Sequence, residues 1–271
     1  MSELEKKQKI VAIIQARMTS SRLPGKVLID IAGQPMLLHV VNRARRAILL
    51  DDVIVAITDQ PADDPIAELC LRHQIHFFRG SEHDVLDRYY HAARSHKADV
   101  LVRLTGDCPV IDPAVIDHLV RVFLDAGVDF AANRLPPPFG RTYPIGMDVE
   151  VCTLTALETA WKEATAKHDR EHVMPYLYEV PGRFQTLQID HIADVGHLRW
   201  TVDTPEDLVA VRRIFASFEG RTDFSFEEIL TLYKKHPELE EINRQVTAKN
   251  YDAVDDRFKK YTDKNKADYL T

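Results

Sequence analysis

Short apolar runs alternate with amphipathic stretches through the first half of the chain. Residues 10–14 are apolar without a break, the pattern of a strand buried on both faces. Residues 35–49 instead place their aliphatic side chains at helical spacing, with the arginines mostly off that face. Further strands are predicted over 53–58, 75–78, 98–104 and 128–132, and helices over 65–73, 85–95 and 113–124. This alternation predicts right-handed βαβ units in a doubly wound α/β fold, with helices on both faces of a mostly parallel sheet.

The pattern changes after residue 133. Four prolines and two glycines between residues 135 and 146 predict a loop or an excursion from the sheet. Beyond it we predict strands over 147–152, 184–189 and 200–203, and helices over 154–164, 170–179 and 205–218. Thr204 suits the N-cap of the last helix, and Glu206 and Asp207 suit its first turn.

These patterns predict one α/β domain over residues 1–246, with a small arm or lid at about 134–195. The tail over 247–271 is rich in Lys, Asp and Tyr and has few aliphatic side chains. We expect it to form a weakly held helix or a frayed end.

Composition narrows the functional classes. The chain has 35 Lys and Arg against 42 Asp and Glu, a net charge of −7, which argues against nucleic-acid or anionic-membrane binding through bulk positive charge. Its 3 cysteines form no CxxC pair, as is usual in a reducing compartment. No apolar run approaches the roughly 20 residues of a membrane span, and no secretory signal is apparent. We therefore expect a soluble cytoplasmic protein with no nucleic-acid or membrane partner.

The loop after the first strand carries the most chemistry. Residues 15–26 (QARMTSSRLPGK) contain the cations Arg17, Arg22 and Lys26, three hydroxyl side chains and a glycine. Parallel sheets bind ligands beyond the carboxyl ends of their strands, and a polyphosphate needs charge, donors and close backbone approach. The loop is not a Walker A motif, and the chain has no GxGxxG fingerprint. A solvated basic loop is the alternative interpretation.

Asp107 follows the fourth predicted strand, beside a glycine. A carboxylate in this position can hold Mg²⁺ against a triphosphate, because Mg²⁺ takes few protein ligands and completes its shell with phosphate oxygens. Asp107 could instead cap the next helix, but Asp112 fits that cap better. We expect Cys108 to be a buried residue rather than a nucleophile, because the neighbouring carboxylate raises the pKa of its thiol.

One short motif points to different chemistry. Residues 168–172 match H-x-x-E-H, a zinc-peptidase pattern in which two histidines share a helix face and Glu171 acts as the base. We predict that Asp169 is a helix N-cap, which would leave His168 outside the helix and break that geometry.

Several segments, taken in order, resemble one enzyme family. They are residues 15–28 (QARMTSSRLPGKVL), 31–44 (IAGQPMLLHVVNRA), 79–89 (RGSEHDVLDRY), 103–113 (RLTGDCPVIDP), 169–173 (DREHV) and 200–208 (WTVDTPEDL). The chain resembles the CTP-dependent acid-sugar cytidylyltransferases, which activate Kdo, sialic acid and related nonulosonic acids. Within that family it is similar to the branch of the spore coat polysaccharide biosynthesis protein F (SpsF-like).

The resemblance implies a fold of the nucleotide-diphospho-sugar transferase type, with CTP and an acidic sugar or sugar phosphate as substrates, Mg²⁺ as cofactor and a homodimer formed through the excursion. It implies Asp107 and Asp203 as metal ligands, and we expect Arg17, Lys26 and Asp107 to be catalytic. The expected nucleotide-binding residues are Gln15, Ala16, Arg17, Ser21, Arg22, Gly25, Lys26, Gly80, Ser81, Asp84 and Thr105. The expected substrate-binding residues are Asn133, Arg134, Arg141, Asp148, Glu150, Arg170 and His172.

Alternatives stay open for some of these residues. Asp203 could satisfy backbone N–H groups ahead of the helix that follows it. Asp84, Asp87 and Arg88, near one helix N-terminus, could form structural ion pairs. Arg134 or Arg141 could clamp the carboxylate of an acidic sugar, or lie in solvent. Kdo-activating relatives have a Gln two residues before the metal-binding Asp, where this chain has Thr105, so cytosine selectivity is less secure than nucleotidyl transfer.

The function predicted from these features is transfer of a cytidylyl group from CTP to an acidic sugar for surface polysaccharide synthesis, with release of pyrophosphate. The alternatives are another sugar- or polyol-phosphate nucleotidyltransferase, an SpsF-type glycosyltransferase, a non-enzymatic nucleotide-binding protein and a zinc hydrolase. The identity of the sugar does not follow from the sequence.

Overall fold

A computed structural model describes residues 7–135 and 140–247. The strands are β1 Ile10–Gln15, β2 Asp30–Ile31, β3 Gln34–Pro35, β4 Asp52–Thr58, β5 His76–Gly80, β6 Val100–Thr105, β7 Phe130–Ala132, β8 Glu150–Thr153 and β9 Thr186–Gln188. The α-helices are α1 Met36–Ala44, α2 Asp64–Arg72, α3 Val85–Ser95, α4 Pro113–Ala126, α5 Leu154–Glu163, α6 Lys167–His172, α7 Pro175–Tyr178, α8 Pro205–Ser217 and α9 Phe226–Lys235. Short 3-10 helices cover Lys26–Leu28, Pro61–Asp63 and Pro237–Ile242.

A seven-stranded sheet forms the centre, in the order β5-β4-β1-β6-β8-β7-β9. Strands β5, β4, β1 and β6 pair in parallel, β8 runs antiparallel to both of its neighbours, and β9 pairs in parallel with β7. The predicted mostly parallel sheet is therefore confirmed, with β8 as the strand that runs the other way.

The unbroken apolar run of β1 serves two cores. Ile10, Ala12 and Ile14 face one core, whereas Val11 and Ile13 face the other, as the two-residue period of a strand requires. Buried side chains of α1, α2, α4, α8 and α9 belong to the first core, and those of α3, α5 and α7 to the second. Helices thus cover both faces of the sheet, which confirms the doubly wound α/β fold.

The second half of the chain differs from the prediction in several places. Strands β8 and β9 belong to the central sheet although both lie within 134–195, so only the segments around them can leave the sheet. The helix predicted over 170–179 is two short helices, because Val173 has a φ of 74° and Pro175 restarts the chain as a new helix.

One predicted strand is absent, and a hairpin and a helix form that the patterns did not predict. The strand predicted over 200–203 is wrong. Trp200 and Val202 donate their N–H groups to the carbonyls of Ile145 and Asp107, but the β-pairing here is an isolated bridge between Ile145 and Arg199. The β2–β3 hairpin and helix α9 were not predicted.

Two of the predicted segments fall wholly or partly outside the described residues. Most of the predicted polar tail, from residue 248 onward, and Pro136–Pro138 of the excursion lie outside the described residues. Within 7–135 and 140–247, none of the helices combines the length and the apolar character needed to cross a bilayer.

Candidate active site

The carboxyl ends of β1, β4, β5 and β6 form one edge of the sheet, called here the carboxyl edge. Gln15 and Thr105 lie side by side there, as the last residues of β1 and β6. The N–H of Gly106 donates to the carbonyl of Gln15 at 2.9 Å, and a Cβ on Gly106 would lie 3.0 Å from that same oxygen. Glycine therefore lets the loop that carries Asp107 approach the end of β1.

The basic loop is closed on itself and tied to the next strand. Gly25 adopts a φ of 71°, and its N–H donates to the carbonyl of Met18 at 2.8 Å. The N–H of Met18 in turn donates to the buried carboxylate of Asp63 at 2.7 Å, and Asp63 also accepts from the N–H and hydroxyl of Thr58. The loop is thus held in place from both β1 and β4. Ala16 is buried within it, whereas Ser21 is exposed.

Lys26 joins the two carboxylates that the resemblance implies as metal ligands. Its ammonium lies 2.8 Å from an oxygen of Asp107, 2.8 Å from an oxygen of Asp203 and 2.8 Å from the carbonyl of Val202. The three charged residues come from the first loop, the loop after β6 and the start of α8. The structure therefore places Lys26 and Asp107 in one cluster, as the sequence predicts.

The Asp203 carboxylate contacts positively charged side chains and does not cap the following helix. Arg22 and Arg199 both contact its second carboxylate oxygen, at 2.7 and 2.8 Å. The N–H groups of Asp203 and Thr204 donate to Asp207 instead, which forms a capping box with Thr204. The alternative interpretation of Asp203 is therefore wrong, and the predicted N-cap at Thr204 is confirmed.

Lys26 and Asp107 each favour the charged form of the other. Burial raises the pKa of Asp107, but the adjacent Lys26 ammonium outweighs burial and lowers that pKa to about 2. Burial lowers the pKa of Lys26, whereas Asp107 and Asp203 together raise it, and the net shift is upward. A carboxylate with so low a pKa is suited to holding cations and is a weak base.

Two neighbouring predictions are confirmed. Burial, followed by the charge of Asp107, raises the pKa of Cys108 well above its ordinary value, so this thiol is not a nucleophile near neutral pH. Asp112 caps α4 by accepting from the N–H of Ala114 at 2.6 Å.

A second layer of polar side chains fixes Gln15. Arg103 donates to the Gln15 side-chain oxygen at 3.1 Å and forms a buried ion pair with Glu150. The ring of Tyr89 lies below this guanidinium, 5.8 Å from ring centroid to Cζ. Glu150, predicted to bind substrate, is therefore the partner of Arg103.

The loop after β5 brings together residues assigned to different ligands. Asp84 caps α3 and accepts from the Arg170 guanidinium through both oxygens, with the two Nε distances at 3.0 Å. Arg88 donates to the carbonyl of Ser81 at 2.8 Å, and a Cβ on Gly80 would lie 3.1 Å from the Arg88 side chain. Asp84 thus belongs to a structural ion pair, but its partner is Arg170 and not the nearby Arg88.

Among the expected substrate residues, Asn133 and Arg141 are engaged within the protein. The Asn133 amide is fully buried, donating to the carbonyl of Met147 and accepting from the N–H of Val149. Arg141 contacts Asp148 at 2.7 Å. The Arg134 guanidinium, by contrast, makes no hydrogen bond or ion pair with another residue of 7–135 and 140–247.

His172 lies close to this part of the site. Burial, then the positive charges of Arg103 and Arg134, lower the pKa of His172 to about 4, so its imidazole is neutral at pH 7. The zinc motif does not form around it. Helix α6 already includes His168, so the predicted N-cap at Asp169 is wrong, but His168 clusters with Asp169 and Glu179. No described metal-ligand cluster holds both His168 and His172.

Sequence reasoning missed several residues that build the site. Arg199 and Asp207 form a buried pair with a distance of 2.7 Å, and the Asn243 amide donates to Asp207 at 2.9 Å. The spacing Thr204-x-x-Asp207 is a capping-box signal that identifies Asp207. No local signal identifies Arg103 as the partner of Gln15, or Asp63 as the anchor of Met18.

Comparisons with known proteins agree with this geometry. A family model described as cytidylyltransferase matches residues 11–254. The spore coat polysaccharide biosynthesis protein SpsF of Bacillus subtilis is 32% identical over 240 residues, 84% of this chain and 95% of that protein. A 3-deoxy-manno-octulosonate cytidylyltransferase of Anaeromyxobacter is 32% identical over 243 residues, 78% of this chain and 98% of that enzyme.

A solved structure extends the likeness to three dimensions. A cytidylyltransferase from Leptospira borgpetersenii superimposes with a TM-score of 0.82 at 32% identity, over 90% of this chain and 100% of that one. The family match spans the basic loop, Asp107 and Asp203, and the relatives are covered over nearly their whole length. The chain therefore belongs to the acid-sugar cytidylyltransferase family and is a nucleotidyltransferase.

Proposed function

We propose that this enzyme transfers the cytidylyl group of CTP to a hydroxyl of an acidic sugar of the nonulosonic type, for surface polysaccharide synthesis. The observation that carries the proposal is the contact of one ammonium, that of Lys26, with the carboxylates of both Asp107 and Asp203 beside the basic loop. This arrangement gathers cation-binding and anion-binding groups at the edge of the sheet where such folds bind ligands.

The basic loop supplies groups for a triphosphate. Arg17, Arg22 and Lys26 provide positive charge on this one loop. We propose that these cations hold the β- and γ-phosphates and stabilise the pyrophosphate as it leaves. The sugar hydroxyl oxygen forms a bond to the α-phosphorus, while the bond from that phosphorus to the bridging oxygen of pyrophosphate breaks.

Asp107 and Asp203 fit the ligand chemistry of Mg²⁺. Both are carboxylates, and an oxygen of each already lies 2.8 Å from one cationic nitrogen, so the two groups can face a single cation. When bound there, Mg²⁺ would neutralise phosphate charge and lower the pKa of the attacking hydroxyl. The protein residues position the reactants: Arg199 and Asp207 orient Asp203, and Gly106 sets the approach of Asp107 to β1.

Arg134 is the best candidate for recognising an acidic sugar. Arg141 and Arg170 already contact Asp148 and Asp84, whereas Arg134 has no such partner within the described residues. A guanidinium can bind a carboxylate through two parallel hydrogen bonds. The neutral imidazole of His172 lies close enough to Arg134 for the two to interact, and it adds no competing charge.

The relatives support the choice of substrate class. One is named for spore coat polysaccharide biosynthesis, and another is named as acting on 3-deoxy-manno-octulosonate, an acidic sugar. We propose that Gln15, oriented by Arg103, and Thr105 contact the nucleotide beside β1 and β6. Because Thr105 departs from the Kdo-type Gln, selection of CTP over other nucleotides is part of the proposal to be tested. A homodimer formed through the segment 134–195 also remains a proposal, which light scattering would test.

The test measures pyrophosphate release. It combines each of four nucleoside triphosphates with acidic sugars and with the phosphates of neutral sugars, with Mg²⁺ present. We expect release with CTP and an acidic sugar, and loss of most of that activity in Arg134→Gln through a raised KM for the sugar. Release only with a sugar or polyol phosphate would show that the substrate is not an acidic sugar and that the enzyme is another sugar- or polyol-phosphate nucleotidyltransferase. Consumption of a sugar nucleotide without pyrophosphate would establish glycosyl transfer instead.

A further inference from the structure

We propose that Asp52, His76 and His96 form a binding site for a divalent transition-metal ion of the zinc class, at the edge of the sheet opposite the carboxyl edge. The three side chains offer one carboxylate and two imidazoles whose ligand atoms all lie within 4.8 Å of one another. Neither the proposed reaction nor the resemblance uses any of them.

The three residues come from three different elements that the fold brings together. Asp52 is the first residue of β4 and His76 is the first residue of β5, its parallel neighbour. His96 follows α3 as its C-cap. We call this end of the sheet the amino edge. Strand β4 separates it from Thr58 at the carboxyl edge by about 20 Å, at roughly 3.3 Å per residue.

The Asp52 oxygens lie nearly at the spacing of a coordination shell from both histidine nitrogens. The Nδ1 of His76 lies 3.0 and 3.2 Å from the two oxygens of Asp52, and the Nδ1 of His96 lies 3.1 Å from one of them. Tetrahedral zinc with bonds of about 2.0–2.2 Å sets its ligand atoms roughly 3.3–3.6 Å apart. Small side-chain rotations would therefore open the cluster enough to admit a metal ion at its centre.

The lysines near Asp52 contact other groups, so the histidines are the basic side chains beside its carboxylate. The nearby ammonium of Lys7 contacts Asp51, and that of Lys9 donates to the carbonyl of His96 at 2.8 Å. The Asp52 carboxylate also accepts from the N–H of its neighbour Val53 at 2.9 Å. No lysine or arginine of the described chain forms an ion pair with Asp52, in contrast to the carboxylates of the candidate active site.

The ligand set selects the class of metal. Imidazole nitrogens suit Zn²⁺, Ni²⁺ and Cu²⁺, whereas Mg²⁺ prefers oxygen ligands and near-octahedral geometry. Two histidines and one carboxylate are a three-ligand set that leaves a coordination position for water. The His76 side chain is 65% exposed, so an ion can reach the cluster from solvent. Bound there, the metal would tie together the starts of β4 and β5 and the end of α3.

The test titrates the full-length protein with Zn²⁺ in the presence of excess Mg²⁺, and follows heat of binding and the unfolding temperature. We expect one tight zinc equivalent per chain and a higher unfolding temperature in its presence. His76→Gln and His96→Gln should each weaken that binding by about 100-fold or more, since even outer-shell partners of a metal site contribute 10- to 100-fold. Circular dichroism of the metal-free variants verifies that they are folded.

Two matched variants decide where zinc binds. His73→Gln removes an exposed histidine close in sequence to β5 and should leave zinc binding unchanged. His168→Gln removes a ligand of the cluster with Asp169 and Glu179, and should also leave the tight equivalent unchanged. Zinc binding that survives both His76→Gln and His96→Gln would overturn the proposal, as would the absence of any tight zinc equivalent. Pyrophosphate release without zinc should be the same in His76→Gln and the wild type, which separates this site from the proposed reaction.

Discussion

The two edges of the sheet carry charged clusters of opposite construction. At the carboxyl edge, Asp107 and Asp203 are held by lysine and arginine side chains, which keep their charge across the whole physiological pH range. At the amino edge, Asp52 is held by two histidines, which are charged only when protonated. The first edge therefore has fixed electrostatics, as a site for a polyanion and a hard cation requires. The second offers imidazole nitrogen ligands beside one carboxylate, which suits a softer metal.

The largest expected effect comes from removing the charge of Asp107. Asp107→Asn should lower kcat by about 100-fold or more, the scale for losing a key electrostatic group at a reaction centre. Steady-state pyrophosphate release with Mg²⁺ measures it. Asp125→Asn, at an exposed position of α4, is the matched control and should retain full activity. Full activity in Asp107→Asn would contradict the role given to the carboxyl edge.

The next largest effect is on the stability of the fold, at the buried Arg199–Asp207 pair that holds Asp203. The Asp207 side chain is fully buried and contacts Arg199, so Asp207→Asn should reduce the free energy of unfolding by about 3–5 kcal/mol, the cost of breaking a buried ion pair. Urea unfolding followed by circular dichroism measures the change. Asp223→Asn changes an exposed ion pair and should cost much less, because solvent screens such pairs. Equal effects of the two substitutions would show that the carboxyl edge is not held by this pair.

A third prediction concerns pH. The pKa of His172 is about 4 in the folded protein, against roughly 6.5 in an unfolded chain. The unfolded state therefore binds more protons as the pH falls from about 6.5 to 4, and the free energy of unfolding should decrease by up to about 3 kcal/mol from this group.

The variant His172→Gln isolates that contribution. Its free energy of unfolding should change less steeply between pH 6.5 and 4 than that of the wild type, whereas His118→Gln, at an exposed position on α4, should follow the wild type. Urea titrations at four pH values across the window provide the comparison. Parallel curves for His172→Gln and the wild type would mean that His172 is not held neutral.

The smallest effect is expected at the amino edge in the absence of metal. His76→Gln should change the free energy of unfolding by less than about 1 kcal/mol when a chelator is present, because partly exposed ion pairs contribute little. The same measurement with Zn²⁺ should separate the variant from the wild type. A loss of several kcal/mol without metal would make the cluster a structural ion pair and remove the contrast between the two edges.

Local patterns in the sequence predict the first half of the fold well. The apolar run of β1, the helix over residues 85–95 and the caps at Asp112 and Thr204 all depend on neighbours within one element, and all are confirmed. The second half was harder, because strand β8 pairs antiparallel with strands on both sides. In addition, the helix breaks at Val173, a β-branched residue at positive φ, where a residue of this type is rarely found.

The site divides in the same way. The basic loop and Asp107 could be identified because their residue types follow strand ends, and the family resemblance added Asp203. Their partners could not be found by pattern, since Arg103 reaches Gln15 across 88 residues and Asp63 reaches Met18 across 45. Asp52, His76 and His96 are spread over three elements, and only the parallel pairing of β4 with β5 and the end of α3 brings them into contact.

The position of Lys26 affects how a divalent cation binds to Asp107 and Asp203. Asp107 and Asp203 carry their own internal counter-ion, so their mutual repulsion is relieved even in a chelating buffer, and the edge stays assembled there. An incoming divalent cation has to displace that ammonium, which weakens its binding in isolation. An anion able to accept the displaced ammonium would remove this competition, so the two ligands should bind cooperatively.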